Sequence, residues 1–320
     1  MAYQLPGRPD RAFAEARSLT LKGVQLVQSA FDGTADDNES AMDEAIDCFK
    51  KALVKVPDFD EARYRLGFTC FLLVERVDDH QRRVELAALA TEQFQRLLKL
   101  EPNDTHVLGL IGDTLFRQGT LCDTPSESVV YFDASIKHLE HLLELEPENE
   151  DSHGKACVSL GLAYAHRGAN SESAEKLPKF LNAVRFFEEG IKLDAMNFSM
   201  LYNYATALMD VGKNSVDAVS SSEYYGRSLK VLTDAIEKMD HVASGKLTDE
   251  EVEFAIENGS GESLRYNHAC LLSRMGKADD AIAALRALFT KHPMRANVIA
   301  EDPDFDAIRD LAAFKELFDC

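Results

Sequence analysis

Nine histidines and six cysteines are the residues of this chain best suited to bind a metal or to act in catalysis. His138 and His141 stand three positions apart, which places both on one face if the segment is helical. The sequence indicates no third ligand near them, and a leucine follows each, so we interpret the pair as a solvated helix face. Asp78, Asp79 and His80 form a second polar group, but a metal site there would need carboxylates from elsewhere in the chain.

A nucleophile with its base is the other chemistry to consider, and His268 with Cys270 is the nearest pair. The two residues are two positions apart on one predicted helix, so their side chains point in different directions. This is poor geometry for proton transfer between them. The glycine-containing stretch 258–262 follows no predicted strand and lacks the rest of a phosphate-binding loop, so we interpret it as a linker. We therefore predict a non-enzymatic protein with no cofactor and no metal ion.

The charge of the chain argues against nucleic acid as a partner. The 320 residues include 35 Lys and Arg against 55 Asp and Glu, which gives a net charge of −20, and the isoelectric point is near 4.8. Nucleic-acid affinity depends on clustered cations that neutralise phosphates, and this balance does not supply them. An acidic protein would instead favour encounter with basic protein partners.

Targeting and membrane signals are also missing from the sequence pattern. Residues 1–10 contain no apolar run of the kind that a signal peptide has. The uncharged stretch 66–74 is about half as long as a membrane-spanning helix of about 20 residues. The six cysteines are scattered without a Cys-x-x-Cys pair, which is typical of free thiols in a reducing compartment. We predict a cytoplasmic protein that does not insert into membranes.

An internal repeat organises the chain. The segments 45–57, 90–102 and 135–147 each set a small residue, an apolar residue four positions on, another three further and proline five later. Their starts lie 45 residues apart, and weaker copies begin at Ala183, Ser228 and Ala281. A repeat of this kind is one supersecondary unit that buries its apolar face by stacking on its neighbours.

Each of these segments has a partner segment upstream with its own small residue. The small residues of the partner segments are Gly23, Gly67, Gly112, Gly161, Ala205 and Ala269. Apolar residues recur three and four apart in both segments, so each repeat predicts two amphipathic helices that cross at the small residue. Several first segments end in glycine, for which we expect left-handed C-caps at Gly119, Gly168, Gly212 and Gly276. We expect Asp60, Asn103 or Asp104, and Asn149 or Asp151 to N-cap the helices that follow.

The string of small, aromatic and proline positions resembles the tetratricopeptide repeat, a helix-turn-helix unit of about 34 residues. The copy at 265–293 matches best, and the resemblance covers roughly residues 16 to 293. It implies an all-α, right-handed superhelical solenoid of about six hairpins, of bacterial type, closed by a C-terminal capping helix. After an N-terminal extension over 1–15, we place the repeats near 16–59, 60–104, 105–149, 150–197, 198–242 and 262–295.

Two further segments lie outside this repeat register. Residues 247–258 predict a short extra helix before the last repeat. Residues 296–320 are amphipathic and resemble the closing segment of tetratricopeptide proteins. A solenoid needs such a cap, because its last repeat otherwise exposes an apolar face.

Most repeats depart from the family in one respect. The first five carry about ten extra residues between their two helices, at 32–40, 77–81, 122–128, 169–175 and 213–222. The apolar periodicity at 84–87 and 130–132 suggests that each insert begins as a loop and ends as an added turn of the second helix, but the sequence leaves both possibilities open. Their acidic, Ser-rich character predicts either a solubilising edge or a recognition surface.

The resemblance implies that the first helices line a concave groove for an extended or helical partner segment. By register, the groove residues are Tyr64, Phe68, Phe71, His106, Asp113, Phe116, Arg117, Lys155, Leu162, His166, Tyr202, Asn203, Thr206, Asp210, Tyr266, Asn267, Cys270 and Arg274. Two Tyr-Asn pairs, at 202–203 and 266–267, occupy equivalent places and would either bind a peptide backbone or pack between neighbouring helices. The cations are too dispersed to grip a terminal carboxylate, which favours a moderately apolar peptide.

These observations predict a scaffold or adaptor that binds a segment of another protein in its groove. Two alternatives stay open from sequence. One is a sensor whose superhelix closes on a small ligand or peptide, and the other is a structural protein that self-associates through an exposed end repeat. Fold alone does not decide among them.

Overall fold

The computed structural model describes residues 11–34, 37–146, 149–193, 197–241, 260–291 and 299–318. Within these ranges the chain contains helices and turns but no β-strand. It divides into two compact units, an N-terminal unit up to residue 149 and a C-terminal unit from residue 150. Among the described helices, none is long and apolar enough to cross a membrane.

The N-terminal unit consists of three consecutive helical hairpins. Its helices are α1 (Arg11–Phe31), α2 (Asn38–Lys55), α3 (Asp60–Leu73), α4 (His80–Leu100), α5 (Thr105–Leu121) and α6 (Pro125–Leu145). Each odd-numbered helix packs on the next even-numbered one, and α3 also contacts α1 and α5. One continuous apolar core runs through the unit, with Phe49 and Phe94 fully buried at its centre.

The C-terminal unit repeats this arrangement. Its elements are α7 (Glu150–Ala169), α8 (Ser173–Leu193), α9 (Phe198–Asn214), α10 (Ala218–His241), α11 (Ser260–Arg274), α12 (Ala278–Lys291), a 3-10 turn (Pro303–Phe305) and α13 (Ala312–Lys315). The helices pair as α7/α8, α9/α10 and α11/α12. The predicted all-α hairpin fold is therefore confirmed for the described residues. The extra helix predicted at 247–258 lies outside them, and the hand of the superhelix stays a prediction.

Polar side chains fix where several of these helices begin. The carboxylates of Asp37, Asp79 and Asp104 accept hydrogen bonds from backbone N–H groups in the first turns of α2, α4 and α5. Asn197 does the same for α9. Because the first N–H groups of a helix have no partner within it, these side chains define the starting residue. The N-cap expected at Asn103 or Asp104 is thus Asp104. The N-cap expected at Asp60 is wrong, because Asp60 is the first residue of α3 and Phe59 occupies the cap position without a side-chain hydrogen bond.

The two helices of each hairpin come closest where a glycine or alanine of the first helix packs against a large side chain of the second. A Cβ atom built on Gly161 would lie only 2.5 Å from Cε1 of Phe187, and one on Gly67 only 2.9 Å from Cε1 of Phe94. These separations are too short for two carbon atoms in contact. Any side chain at the glycine would therefore push the two helices apart, which confirms the predicted small-residue crossings.

The inserted residues lengthen the second helices. Helices α4, α6 and α8 have 21 residues each and α10 has 24, whereas α12, in the repeat without an insert, has 14. The connections within the hairpins are short, as between Leu121 and Pro125. Of the two possibilities that the sequence left open, the structure shows helix extension. The inserts do not form a row of long loops.

This extension corrects the role expected for three glycines. Gly119, Gly168 and Gly212 are not left-handed C-caps, because the described residues with positive φ are Gly33 and Gly276 only. The three lie inside the first helices, where Cβ atoms would approach the rings of Phe132, Phe180 and Tyr225 to 2.5, 3.0 and 2.6 Å. The N-terminal halves of α6, α8 and α10 carry these rings, so in these three hairpins a glycine near the end of the first helix makes room for the longer second helix. The C-cap at Gly276, with φ of 72°, is confirmed.

The ends of the repeat array differ in detail from expectation. Helix α1 already begins at Arg11, within the extension expected over 1–15. The closing segment is present, but within its described residues 299–318 it consists of two helical residues at 299–300, the 3-10 turn and the single-turn helix α13, in place of one continuous helix. Pro303 and the cap of Asp302 on the N–H of Asp304 favour a tight turn here. Phe305 and Phe314 bury this segment against α11 and α12.

We expect Gly161→Ala to lower the free energy of unfolding by about 1–3 kcal/mol, because the added methyl overpacks the Phe187 contact. Gly226→Ala is the matched control: Gly226 lies inside α10 with no atom within 4 Å of a built Cβ. There the change should raise stability by about 0.5–1 kcal/mol through helix propensity. Urea denaturation followed by circular dichroism measures both. Equal effects of the two substitutions would contradict the crossing geometry.

Candidate functional site

A row of three aromatic rings lies along α3 of the N-terminal unit. Tyr64, Phe68 and Phe71 are four and three positions apart, so they share one face of the helix. Tyr64 and Phe68 are stacked with ring centroids 5.9 Å apart, and Phe68 and Phe71 with centroids 6.3 Å apart. All three rings are half-buried, packing inward against the core while their outer faces stay accessible. We call these residues the α3 ring row.

Two side chains of α5 hold this row in place. The Tyr64 hydroxyl lies 2.8 Å from Nε2 of His106. The guanidinium of Arg117 lies 3.8 Å from the centroid of the Phe71 ring, donates a 2.7 Å hydrogen bond to the Phe71 carbonyl and forms a 3.1 Å ion pair with Glu75. Burial lowers the pKa of Arg117, and the nearby carboxylates of Glu75 and Asp113 oppose that shift. The predicted groove residues of α3 and α5 are thus brought together.

An acidic pocket adjoins the ring row at Tyr64. It has a volume of about 270 Å³. Its apolar lining comes from Leu97, Leu100, Val107 and the Tyr64 ring, and its charged lining from Asp60, Glu61, Glu101, Asp104 and Arg65. Four carboxylates thus face one guanidinium, which itself pairs with Glu61 at 3.7 Å. Burial raises the pKa of Tyr64, so its hydroxyl stays protonated at neutral pH.

In the C-terminal unit, the predicted groove residues of α9 and α11 bond mainly to one another or to their own helices. The amide of Asn267 donates to the Thr206 hydroxyl at 3.0 Å. The amide of Asn203 donates to the Ser199 carbonyl one turn earlier, at 2.9 Å. Lys155 of α7 forms a 2.8 Å ion pair with Asp151, also one turn earlier. The Tyr202 ring packs at the edge of the α9/α10 core.

Two side chains of α11, Tyr266 and Arg274, contact the closing segment. The Tyr266 hydroxyl donates to the carboxylate of Asp302, and its ring packs edge-on against Phe305 with centroids 6.2 Å apart. Two turns later Arg274 forms an ion pair with Asp304. The repeat register predicts that Tyr266 and Arg274 line an open groove. In the structure the Tyr266 hydroxyl and the Arg274 guanidinium instead contact the closing segment of the same unit. The sequence pattern gave no signal for these contacts, because Asp302 and Asp304 lie outside the repeat.

Burial shifts the titration of several groups along α9 and α11. Burial raises the pKa of Asp210, while Lys213 and Arg274 oppose the rise. Burial also raises the pKa of the Cys270 thiol, which therefore stays protonated at neutral pH. His268 points instead towards Thr233 of α10, with Nε2 3.4 Å from the hydroxyl. The prediction that His268 and Cys270 point in different directions is confirmed.

One polar cluster was missed in the sequence analysis. His153 and Cys157 are one helical turn apart on α7, and Glu189 of α8 joins them. The spacing of the first two was visible in the sequence, but the glutamate comes close only because α8 packs on α7. The pair that the sequence did single out is arranged differently: Nε2 of His141 contacts Asn103 at 3.1 Å, and burial lowers the pKa of His138.

No protein-family model matches the chain, and no curated protein does either. Solved structures that resemble it are tetratricopeptide-repeat proteins. A thermophilic one from Thermus thermophilus, TTC0263, is 16% identical with a TM-score of 0.41, covering 80% of this chain and 98% of that one. MamA from Desulfovibrio magneticus RS-1 is 16% identical with a TM-score of 0.42, covering 71% and 98%. The TPR2AB domain of yeast Sti1, solved in complex with pHSP90, is 16% identical with a TM-score of 0.29, covering 92% and 97%.

We expect Tyr266→Phe to lower the free energy of unfolding of the C-terminal unit by about 1 kcal/mol, because it removes the hydrogen bond to Asp302. Tyr202→Phe is the matched control, since within the described residues the Tyr202 hydroxyl has no hydrogen bond. Its effect should stay within about 0.5 kcal/mol. Thermal and urea unfolding measure the difference. If both substitutions have the same effect, the closing segment is not anchored through Tyr266.

Proposed function

We propose that this protein is a non-enzymatic scaffold that binds a segment of another protein on the α3/α5 surface of its N-terminal unit. The observation that carries the proposal is the α3 ring row beside the acidic pocket. The partner segment, extended or helical, would lay an apolar side chain on Phe68 and insert a basic side chain into the pocket beside Tyr64. Asp113 and Arg117, on α5, would border this contact.

Ring faces and carboxylates together favour a segment that combines basic and apolar residues. Half-buried aromatic side chains offer large contact areas and lose little conformational entropy on binding. The face of an aromatic ring also attracts Lys and Arg. The four carboxylates of the pocket exceed the single charge of Arg65, so an acidic segment would be repelled. The net charge of −20 would speed encounter with a basic partner at low ionic strength.

We also propose Lys155, Tyr202 and Asn203 of the C-terminal unit as contacts for a partner segment. Thr206, Asn267, Tyr266 and Arg274 would support that surface through the bonds that they make within the unit. We propose a cytoplasmic location, which the scattered free cysteines of the sequence support.

A random-peptide library displayed on phage, selected on the full chain, tests the proposal even though the natural partner is unidentified. Enriched peptides should carry Lys or Arg next to an apolar residue. For such a peptide, Phe68→Ala or Tyr64→Ala should weaken binding about tenfold each, because a central aromatic contact contributes about 1.4 kcal/mol or more. Fluorescence anisotropy measures the affinity, and Glu101→Gln should reduce its salt dependence.

Tyr224→Ala is the matched control, because Tyr224 is a half-buried aromatic residue of α10 in the other unit. It should leave the affinity unchanged. Circular dichroism must show that each variant keeps its helical content. If the selected peptides bind Phe68→Ala, Tyr64→Ala and wild type equally, the α3/α5 surface is not the binding site.

A further inference from the structure

Three side chains of different chemistry meet inside the α7/α8 hairpin. Cys157 and His153 share one face of α7, and Glu189 reaches them from α8. One ligand atom from each residue lies within 4.8 Å of the other two. Oε2 of Glu189 is 3.9 Å from Nε2 of His153 and 3.9 Å from Sγ of Cys157. The three donor atoms therefore surround one point between the helices.

The three side chains lie close together, but the hydrogen bonds between them are long. The distances of 3.9 Å are longer than good hydrogen bonds between these groups. Nδ1 of His153 is buried and has no hydrogen-bond partner in the part of the chain that the structure describes. The three side chains therefore form no short hydrogen bond with one another that would compete with a bound ion.

The local backbone brings the helices close at this place. Gly190 follows Glu189, and a Cβ atom on Gly190 would lie 3.5 Å from Cβ of Cys157 and 2.8 Å from Sδ of Met200. The distance to Cys157 is an ordinary van der Waals contact, so this face of α8 lies directly against the cysteine, while the close contact is with Met200. Cys157 is fully buried, whereas the side chains of His153 and Glu189 are 26% and 37% exposed. The thiol lies at the inner end of the cluster, and solvent reaches it from the imidazole and carboxylate side.

We propose that His153, Cys157 and Glu189 bind one zinc ion, with a water molecule as the fourth ligand. Sulfur, imidazole nitrogen and carboxylate oxygen are the donors that zinc takes in tetrahedral sites. Calcium and magnesium prefer oxygen donors throughout, so the thiol and the imidazole select against them. Binding releases the thiol proton to solvent, and the thiolate then bonds to the metal.

The distances require little rearrangement for this ion. With zinc–ligand bonds of about 2.0–2.3 Å, ligand atoms of a tetrahedral site lie about 3.4–3.7 Å apart. The two separations of 3.9 Å are only slightly longer, and the imidazole and the thiol, which lie within 4.8 Å of each other, would approach by up to about 1 Å. Because one ligand comes from α8 and two come from α7, the ion would fasten the two helices of the hairpin to each other. The site is separate from the proposed α3/α5 surface, which lies in the other unit, whereas Lys155, a proposed partner contact, lies on α7 beside it.

Cobalt(II) is the probe for the first test, because it reports its ligands in the absorption spectrum. The purified full chain, stripped with a chelator, should bind one Co²⁺ with a thiolate-to-metal charge-transfer band and the visible bands of a tetrahedral site. Zn²⁺ should displace it. Cys157→Ser should abolish the charge-transfer band. His153→Gln and Glu189→Gln should each weaken binding at least tenfold, since even the loss of a residue that only supports a metal ligand costs about 10–100-fold.

Matched controls separate this site from other histidines and thiols. His138→Gln with His141→Gln removes the pair that the sequence singled out, and Cys48→Ser removes another buried free thiol. Neither should change the spectrum or the affinity. Added Zn²⁺ should also raise the melting temperature of wild type but not of His153→Gln, a partly exposed position whose substitution leaves the fold intact. A charge-transfer band that survives in Cys157→Ser, affinity unchanged in His153→Gln, or no binding by wild type would overturn the proposal.

Discussion

The close approach of paired helices at a glycine is the constraint on which each hairpin depends. At Gly161 and Gly67 the second helix presents a phenylalanine ring where a first-helix Cβ would be. The buried ring supplies apolar area that stabilises the hairpin, and the glycine's missing side chain lets the backbones come close enough to bury it. Where alanine replaces glycine, as at Ala205, Leu232 of α10 belongs to the same buried cluster, and the Ser228 hydroxyl donates to the Ala205 carbonyl at 2.9 Å.

The longer second helices follow from the same constraint. An added turn or two of helix needs a surface to pack on, and in the hairpins of α6, α8 and α10 a glycine near the end of the first helix provides it, as between Gly119 and Phe132. The hairpins are therefore long enough for their helices to make contacts beyond the first glycine or alanine crossing. The α3 ring row contacts α5, the first helix of the next hairpin, whereas Glu189 meets Cys157 within the α7/α8 hairpin. The first candidate site therefore depends on packing between neighbouring hairpins and the second on packing within one.

The sequence predicted those features that recur with the repeat. The hairpins, the small-residue crossings, the cap of Asp104 and the left-handed Gly276 each follow from a local pattern with a known physical cause. It misassigned Gly119 because a glycine near the end of a helical pattern fits a C-cap and an interior ring contact equally well. It missed the bonds of Tyr266 to the closing segment and the approach of Glu189 to Cys157, because both join parts of the chain that no repeat spacing relates.

The central claim is that glycine–ring contacts join the lengthened helices, as between Gly119 of α5 and Phe132 of α6. A double-mutant cycle on Gly119→Ala and Phe132→Leu tests it most directly, because the smaller side chain leaves room for the added methyl group. If the ring packs on Gly119, the two changes should couple by about 1 kcal/mol, within the range for residues in contact, so that the double variant is more stable than the sum of the single effects implies. Additive effects would show that Phe132 does not pack on Gly119 and would contradict the account.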